Sequence, residues 1–187
     1  MAQELQYTSD KNKGIERARG SDHRLNVSSR QDSRSYYNSR DESQTFSLTW
    51  DDPSSEAGDY IAYWKNTDTT GKVLVIGTVE LNCFSNAGHF VICRVSGTAA
   101  SGTTATPFCN NQSSPKTAQA TAMESAGTAI TGLSCVGKFD TVLVSSDGHE
   151  EINLKDRVRI GQDQAIAIQF QSGTTSRTTG TIHGYYE

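Results

Sequence analysis

Gln164 to Gln171 reads QAIAIQFQ, and its apolar residues Ile166, Ile168 and Phe170 fall on every second position. Successive side chains of a β-strand point to opposite faces, so this stretch predicts a strand with one face on a core. Gly161-Gln162-Asp163 supplies a turn just before it. Outward from this segment the same grammar repeats. Toward the C-terminus, Thr178 to Tyr186 predicts a closing strand. Toward the N-terminus, Val158 to Ile160, Glu150 to Leu154 and Phe139 to Ser145 (FDTVLVS) predict three more.

Farther back, Phe46, Leu48 and Trp50 alternate with Ser47 and Thr49, and Asp51-Asp52-Pro53 is expected to stop that strand. Asp59 to Lys65 (DYIAYWK) is apolar at nearly every position, which suits a central strand covered on both faces. Lys72 to Asn82 (KVLVIGTVELN) predicts a long strand with Val73, Val75, Val79 and Leu81 on one face and a bulge at Gly77. Ser85 to Gly88 turns the chain, and His89 to Val95 (HFVICRV) returns as a hairpin partner. Ser96 to Gly127 is small and polar and reads as long loops with one or two short strands. Eight to ten strands and no helix-period segment predict an all-β domain, an antiparallel β-sandwich of jelly-roll type over residues 43–187. Trp50, Tyr63 or Trp64, Phe90, Phe139, Ile168 and Phe170 are the expected core.

Composition agrees with this class. Serine and threonine together number 43 of 187 residues, and both suit solvent-facing strand positions and turns better than helix interiors. The hydrophobic fraction is 34 %, low for a globular chain of this size. The start, MAQELQYTSD, is polar and lacks the apolar region of a secretory signal, and no stretch approaches the length that spans a bilayer. Cytosolic synthesis is therefore expected, with no membrane partner. In that compartment Cys83, Cys93, Cys109 and Cys135 are expected to be thiols, and their spacings fit no zinc pattern.

Residues 1–42 differ from the rest. They hold scattered apolar residues that fit neither a helical stripe nor strict alternation, too few to offset the entropy of ordering. A long, extended N-terminal arm is expected, disordered alone or ordered on a partner. Residues 1–40 carry eight Lys/Arg and five Asp/Glu, a net +3, against −7 for the remainder. The excess is small and contains no basic run of the kind that holds phosphates, so nucleic acid is not expected as a partner. Arginine and tyrosine, which interfaces enrich, recur along the arm. The candidate contact residues are Tyr7, Arg17, Arg19, Arg24, Arg30, Arg34, Tyr36, Tyr37 and Arg40.

Signals for chemistry are weak. His149-Glu150-Glu151 is the densest titratable set, but strand alternation lets only His149 and Glu151 share a face, as on a solvated strand edge. Asp51, Asp52 and Asp59 bracket one loop without the spacing of a calcium loop. His23, His89 and His183 are scattered, and no nucleophile elbow, phosphate loop or zinc-protease motif occurs. A polysaccharide-degrading enzyme would need a persuasive carboxylate pair, which is lacking. The reading is a non-enzymatic protein with no cofactor, no metal and no small-molecule substrate.

Three stretches, SRSYYNSRDESQTFSLTWDDP, GDYIAYWKNTDTTGKVLVIGTVEL and GQDQAIAIQFQSGTTSRTTGTIHGYYE, resemble small virion proteins of tailed bacteriophages. The resemblance rests on Tyr63 to Thr67, Lys72 to Ile76, Gly161 to Ile168 and Tyr185-Tyr186, and covers most of residues 33–95 and 158–187. It implies a capsid decoration, or cement, protein on the exterior of a virion. Such proteins bind the major capsid protein, self-associate as homotrimers, and tie neighbouring capsomers with their arms. The alternative is a receptor- or glycan-binding head of a phage tail fibre or adhesin, with the arm docking it to the particle.

Overall fold

The computed structural model describes residues 44–173 and 176–187, together with four short N-terminal strands: Gln6–Thr8 (β1), Ile15–Arg17 (β2), Gly20–Ser21 (β3) and Arg24–Leu25 (β4). By Cα proximity the chain divides into two units, residues 1–33 and 34–187. In the first, β1 pairs antiparallel with β2 and β3 with β4.

The second unit contains eleven strands and, among the described residues, no helix. They are Thr45–Ser55 (β5), Tyr60–Asn66 (β6), Leu74–Phe84 (β7), Gly88–Ala100 (β8), Thr103–Ala105 (β9), Phe108–Cys109 (β10), Ala120–Glu124 (β11), Thr131–Val144 (β12), His149–Ile160 (β13), Ala165–Gly173 (β14) and Ser176–Tyr186 (β15). Eight of them pair in nested order: β5 with β15, β6 with β14, β7 with β13 and β8 with β12, all antiparallel. That nesting is one long hairpin rolled into two sheets, which makes the sandwich a jelly roll. One sheet runs β10-β5-β15-β7-β13 and the other β12-β8-β14-β6-β11-β9.

The region expected to be mostly loop is an insertion between β8 and β12, and it supplies β9, β10 and β11. β10 extends the first sheet beside β5, and β11 with β9 extends the second beside β6. The insertion thus covers both sheet edges on one side of the sandwich, where β5 and β6 would otherwise present unpaired backbone. On the opposite side β12 and β13 remain outermost.

The core between the sheets holds Phe46, Leu48, Trp50, Trp64, Leu74, Ile76, Val79, Leu81, Phe90, Ile92, Ile166, Ile168, Phe170 and Ile182, among others, all buried. Phe90 and Phe170 meet edge to face at 5.3 Å. A second apolar layer lies on the other face of β6, β8 and β14, with Tyr60, Tyr63, Val91, Cys93, Val95, Ala165 and Ala167 buried. Small side chains on the middle strand leave room for the two tyrosine rings. This explains why DYIAYWK is apolar on both faces: Trp64 belongs to the main core and Tyr63 to the outer layer.

Four expectations need correction. The turn at residues 85–88 does not close a hairpin, because β7 lies in the first sheet and β8 in the second, so the chain crosses between the sheets there. Phe139 is 39 % exposed. It falls at a register shift between Lys138 and Asp140, where a bulge turns it away from the core. On β7, Leu74 and Ile76 face the core instead of Val73 and Val75, while Val79 and Leu81 do face it. The cause is the bulge at Gly77, visible as a register shift against β15 between His183 and Gly184, which reverses alternation partway along the strand. Asp51-Asp52-Pro53 does not end β5, which continues to Ser55. Pro53 falls in a register shift between Thr178 and Ser176 on the partner strand, at a position that needs no ladder hydrogen bond.

Candidate functional site

The side chains of the nine arm residues lie outside the described residues. The backbone places Tyr7 opposite Glu16, Arg17 opposite Gln6, and Arg24 opposite Ser21. Arg19, Arg30, Arg34, Tyr36, Tyr37 and Arg40 lie outside the described residues altogether. What can be built from the residues upward is the surface of the sandwich.

On the outer face of the first sheet, cross-strand neighbours form a polar grid. One row joins Asp51, Thr179, Asn82 and His149, and the next joins Thr49, Thr181, Glu80 and Glu151. Period-two alternation puts these residues outward because Val79, Leu81 and Cys83 on the same strand point inward. Asn82 binds His149 Nδ1 through Oδ1 at 2.8 Å and donates from Nδ2 to Thr179 Oγ1 at 3.2 Å. His149 is therefore tied to the sheet. Glu151 faces Glu80 across the strand pair, a like-charge contact.

Glu80 belongs to a set that sequence reading missed. Ser47 Oγ lies 2.8 Å from His183 Nδ1, and His183 Nε2 lies 3.2 Å from Glu80 Oε1. Serine, histidine and carboxylate in a row is the order of a nucleophilic relay. Here, however, Ser47 is only 2 % exposed and donates its proton to Asn110 Oδ1 at 2.8 Å. A hydroxyl committed in that way has no proton left for His183 Nδ1, so the row is a structural hydrogen-bond chain and not an activated nucleophile. The set connects β10, β5, β15 and β7 across one sheet face. Only contacts between distant strands create it, so no sequence motif announces it.

The loop carboxylates do not converge. Asp51 is paired with Arg177, whose Nε and Nη2 lie 2.9 and 2.6 Å from its two oxygens, and this hydrogen bonding holds the Asp51 carboxyl below its ordinary range. Asp52 is buried and accepts from Ser54 N, Ser55 Oγ and Gly127 N, tying β5 to the insertion. Asp59 accepts from Glu56 N at 2.8 Å. Each acid is committed to a different partner, and no group of three or more metal-ligating side chains gathers among the described residues.

A pocket of about 330 Å³ opens beside Gln44, where the N-terminal segment joins the sandwich. Phe46 and Tyr186 form its apolar wall, ring to ring at 5.8 Å, and Asp68, Lys72 and Lys116 also line it. Tyr186 is a fixed wall. Its hydroxyl donates to Gln119 O at 2.9 Å, and burial pushes its pKa up to about 12. Asp68 is buried; desolvation raises its pKa, but hydrogen bonds from Thr70 and Lys72 outweigh this and leave it lowered. Its Oδ1 accepts from Thr70 N, Thr70 Oγ1 and Lys72 N at 2.7, 2.7 and 3.1 Å. These groups are organised to hold the loop after β6. The sandwich presents contact surfaces whose polar groups are tied into the fold.

Against known protein families, characterised proteins and solved structures, the chain has no match.

Proposed function

We propose that the protein is a structural component of a tailed-bacteriophage particle, bound on the outside of the capsid, where it bridges neighbouring subunits of the major capsid protein. The observation that carries this reading is the pairing, in one chain, of a jelly-roll body with a separate N-terminal segment of opposite charge, +3 over residues 1–40 against −7 for the rest. A segment with so few apolar residues gains order by spreading arginine and tyrosine contacts over a partner. The resemblance of residues 33–95 and 158–187 to small virion proteins points the same way. Binding across a boundary between subunits stabilises the assembled shell, because only the assembled state offers the composite site. Two modest attachments, arm and body, act together through effective concentration.

The polar grid on the outer face of the first sheet favours a second reading, a head that binds a receptor or glycan. A face of fixed hydrogen-bonding groups such as Asn82, Thr179 and His149 suits a hydroxyl-rich ligand. Copy number separates the two. Purified particles analysed for stoichiometry against the major capsid protein are expected to carry this chain at a fixed ratio approaching one per capsid subunit or capsomer. A handful of copies per particle, together with binding to cells or glycans, would replace the capsid reading with the second one.

A further inference from the structure

Cys93 on β8 and Cys135 on β12 belong to the outer apolar layer of the second sheet, Cys93 buried within it and Cys135 half-buried against it. In the ladder between the two strands Cys135 pairs with Val95, and Lys138 pairs with Cys93. Cross-strand partners share a face, so all four side chains lie on that side and the two cysteines are diagonal neighbours. A register shift between Cys135 and Gly137 leaves Val136 as an extra residue and bends β12 at this point. The two thiols meet. Cys135 Sγ donates to Gly137 O at 3.6 Å, and the Cys93 thiol is hydrogen-bonded to Cys135. With the Cys135 proton committed to Gly137, Cys93 is the donor within the pair. Tyr60 fixes the same spot, since its hydroxyl accepts a hydrogen bond from the Cys135 backbone. Burial, and then the hydrogen bond to Cys135, push the Cys93 thiol up to about 12, and the Lys138 charge opposes this. Cys83 and Cys109 lie with the main core instead, so neither competes for the contact.

We propose that Cys93 and Cys135 are a redox-active dithiol, which closes to an intrachain disulfide on meeting a small-molecule disulfide of the oxidised-glutathione class. The half-buried Cys135 reacts first. It gives its proton to solvent, and its thiolate attacks one sulfur of the reagent. The reagent's S–S bond breaks, and the departing thiolate takes up a proton. Cys93 then loses its proton and attacks Cys135 Sγ, breaking the mixed disulfide and releasing the second small thiol. In balance, two protein thiols and one reagent disulfide become one protein disulfide and two small thiols, the reagent taking up two electrons. Lys138, across from Cys93, favours the thiolate that the second step needs. Sulfurs in hydrogen-bonding contact are farther apart than an S–S bond, and the bulge at Val136 lets β12 close that gap. The closed bond spans residues 93–135, a stretch that contains β9, β10 and β11. Oxidation therefore ties the outermost strand of the second sheet to its neighbour and constrains the chain that carries the insertion. In a glutathione-buffered compartment the pair stays open, and in an oxidising one it closes. This inference does not depend on the capsid reading.

The test uses the full-length chain, kept reduced until oxidised glutathione is added under native conditions near pH 8. Thiol counting, intact mass, peptide mapping and thermal melting are the readouts. The wild type is expected to lose two of its four thiols and retain no glutathione, with Cys93 and Cys135 in one cross-linked peptide. Its unfolding midpoint is expected to rise by about 10 °C and to return on reduction. Cys93→Ala is expected to stop at a stable glutathione adduct on Cys135, and Cys135→Ala to take up no glutathione at Cys93. Four thiols still free, a link through Cys83 or Cys109, a lasting adduct on either wild-type cysteine, or a closed bond that leaves the midpoint unchanged or lower would overturn the proposal.

Discussion

Asp68 is the residue at which local chemistry and stability meet most plainly. Its carboxylate is buried, and one oxygen takes three hydrogen bonds from Thr70 and Lys72, while Asn66 accepts from its amide and donates to Ile160 O. Asp68→Ala leaves those donors without an acceptor and is expected to cost about 2 kcal/mol in urea unfolding at neutral pH. The sign of the pH dependence follows from its lowered pKa. The stabilisation is complete above the ordinary carboxyl value of 3.8 and is lost as pH falls through the folded value. The gap between wild type and Asp68→Ala should therefore narrow on acidification below that range. A gap constant from pH 7 to strong acid would contradict this account.

Gly180 makes the complementary point about close packing. A Cβ there would lie 2.2 Å from the Glu80 carbonyl and 2.3 Å from the Trp50 ring, so the indole packs directly against the backbone of β15. Gly180→Ala is expected to destabilise by about 3 kcal/mol through overpacking, read as a lower unfolding midpoint. Nothing in TTGTIHG separates this glycine from one that merely turns the chain, because the ring it accommodates is 130 positions away. The thiols differ among themselves. Burial pushes Cys83 up to about 11 and Cys93 up to about 12, whereas Cys109 and Cys135 are half-buried. Under native conditions near pH 8 a thiol reagent should label Cys109 and Cys135 before Cys83 and Cys93, with all four labelled after denaturation. Early modification of Cys93 would contradict its placement beneath Tyr60 and Tyr63.

At the scale of elements, strands with clean alternation were legible and bulged ones were not. QAIAIQFQ and TFSLTW place Ile166, Ile168, Phe170, Phe46, Leu48 and Trp50 on the core as their period requires. Bulges displace alternation in β7, β12 and β13, and there the sequence pattern points to the wrong face or splits one strand into two. The insertion was illegible for another reason: its strands are two to five residues long and exist by pairing with edges that the rest of the fold supplies. Asn110 anchors the shortest of them through Ser47, itself bound to His183. Asn110→Ala is expected to cost about 1 kcal/mol and to raise hydrogen exchange in β10 before the remaining strands. Uniform exchange across the sheet would show that the Ser47 set does not hold the insertion.

For the whole molecule, the all-β class and jelly-roll architecture followed from turn spacing and period. The partition of the surface did not. Which side of the sandwich is covered and which remains open depends on where the insertion docks, and the Ser47–His183–Glu80 set depends on three strands meeting. Of the candidate arm residues, the sequence supplies types and charges, and no described side chain adds geometry to them. The central claim is that the body folds by itself and that residues 1–42 provide attachment to the shell. The direct measurement is co-sedimentation of the full chain and of residues 43–187 with particles stripped of the native protein, at low and high salt, after confirming that the shortened chain melts cooperatively. The account predicts that the full chain binds in a salt-sensitive manner, that Arg30→Ala, Arg34→Ala and Arg40→Ala weaken it, and that the folded body alone does not bind. Undiminished binding of residues 43–187 would contradict it.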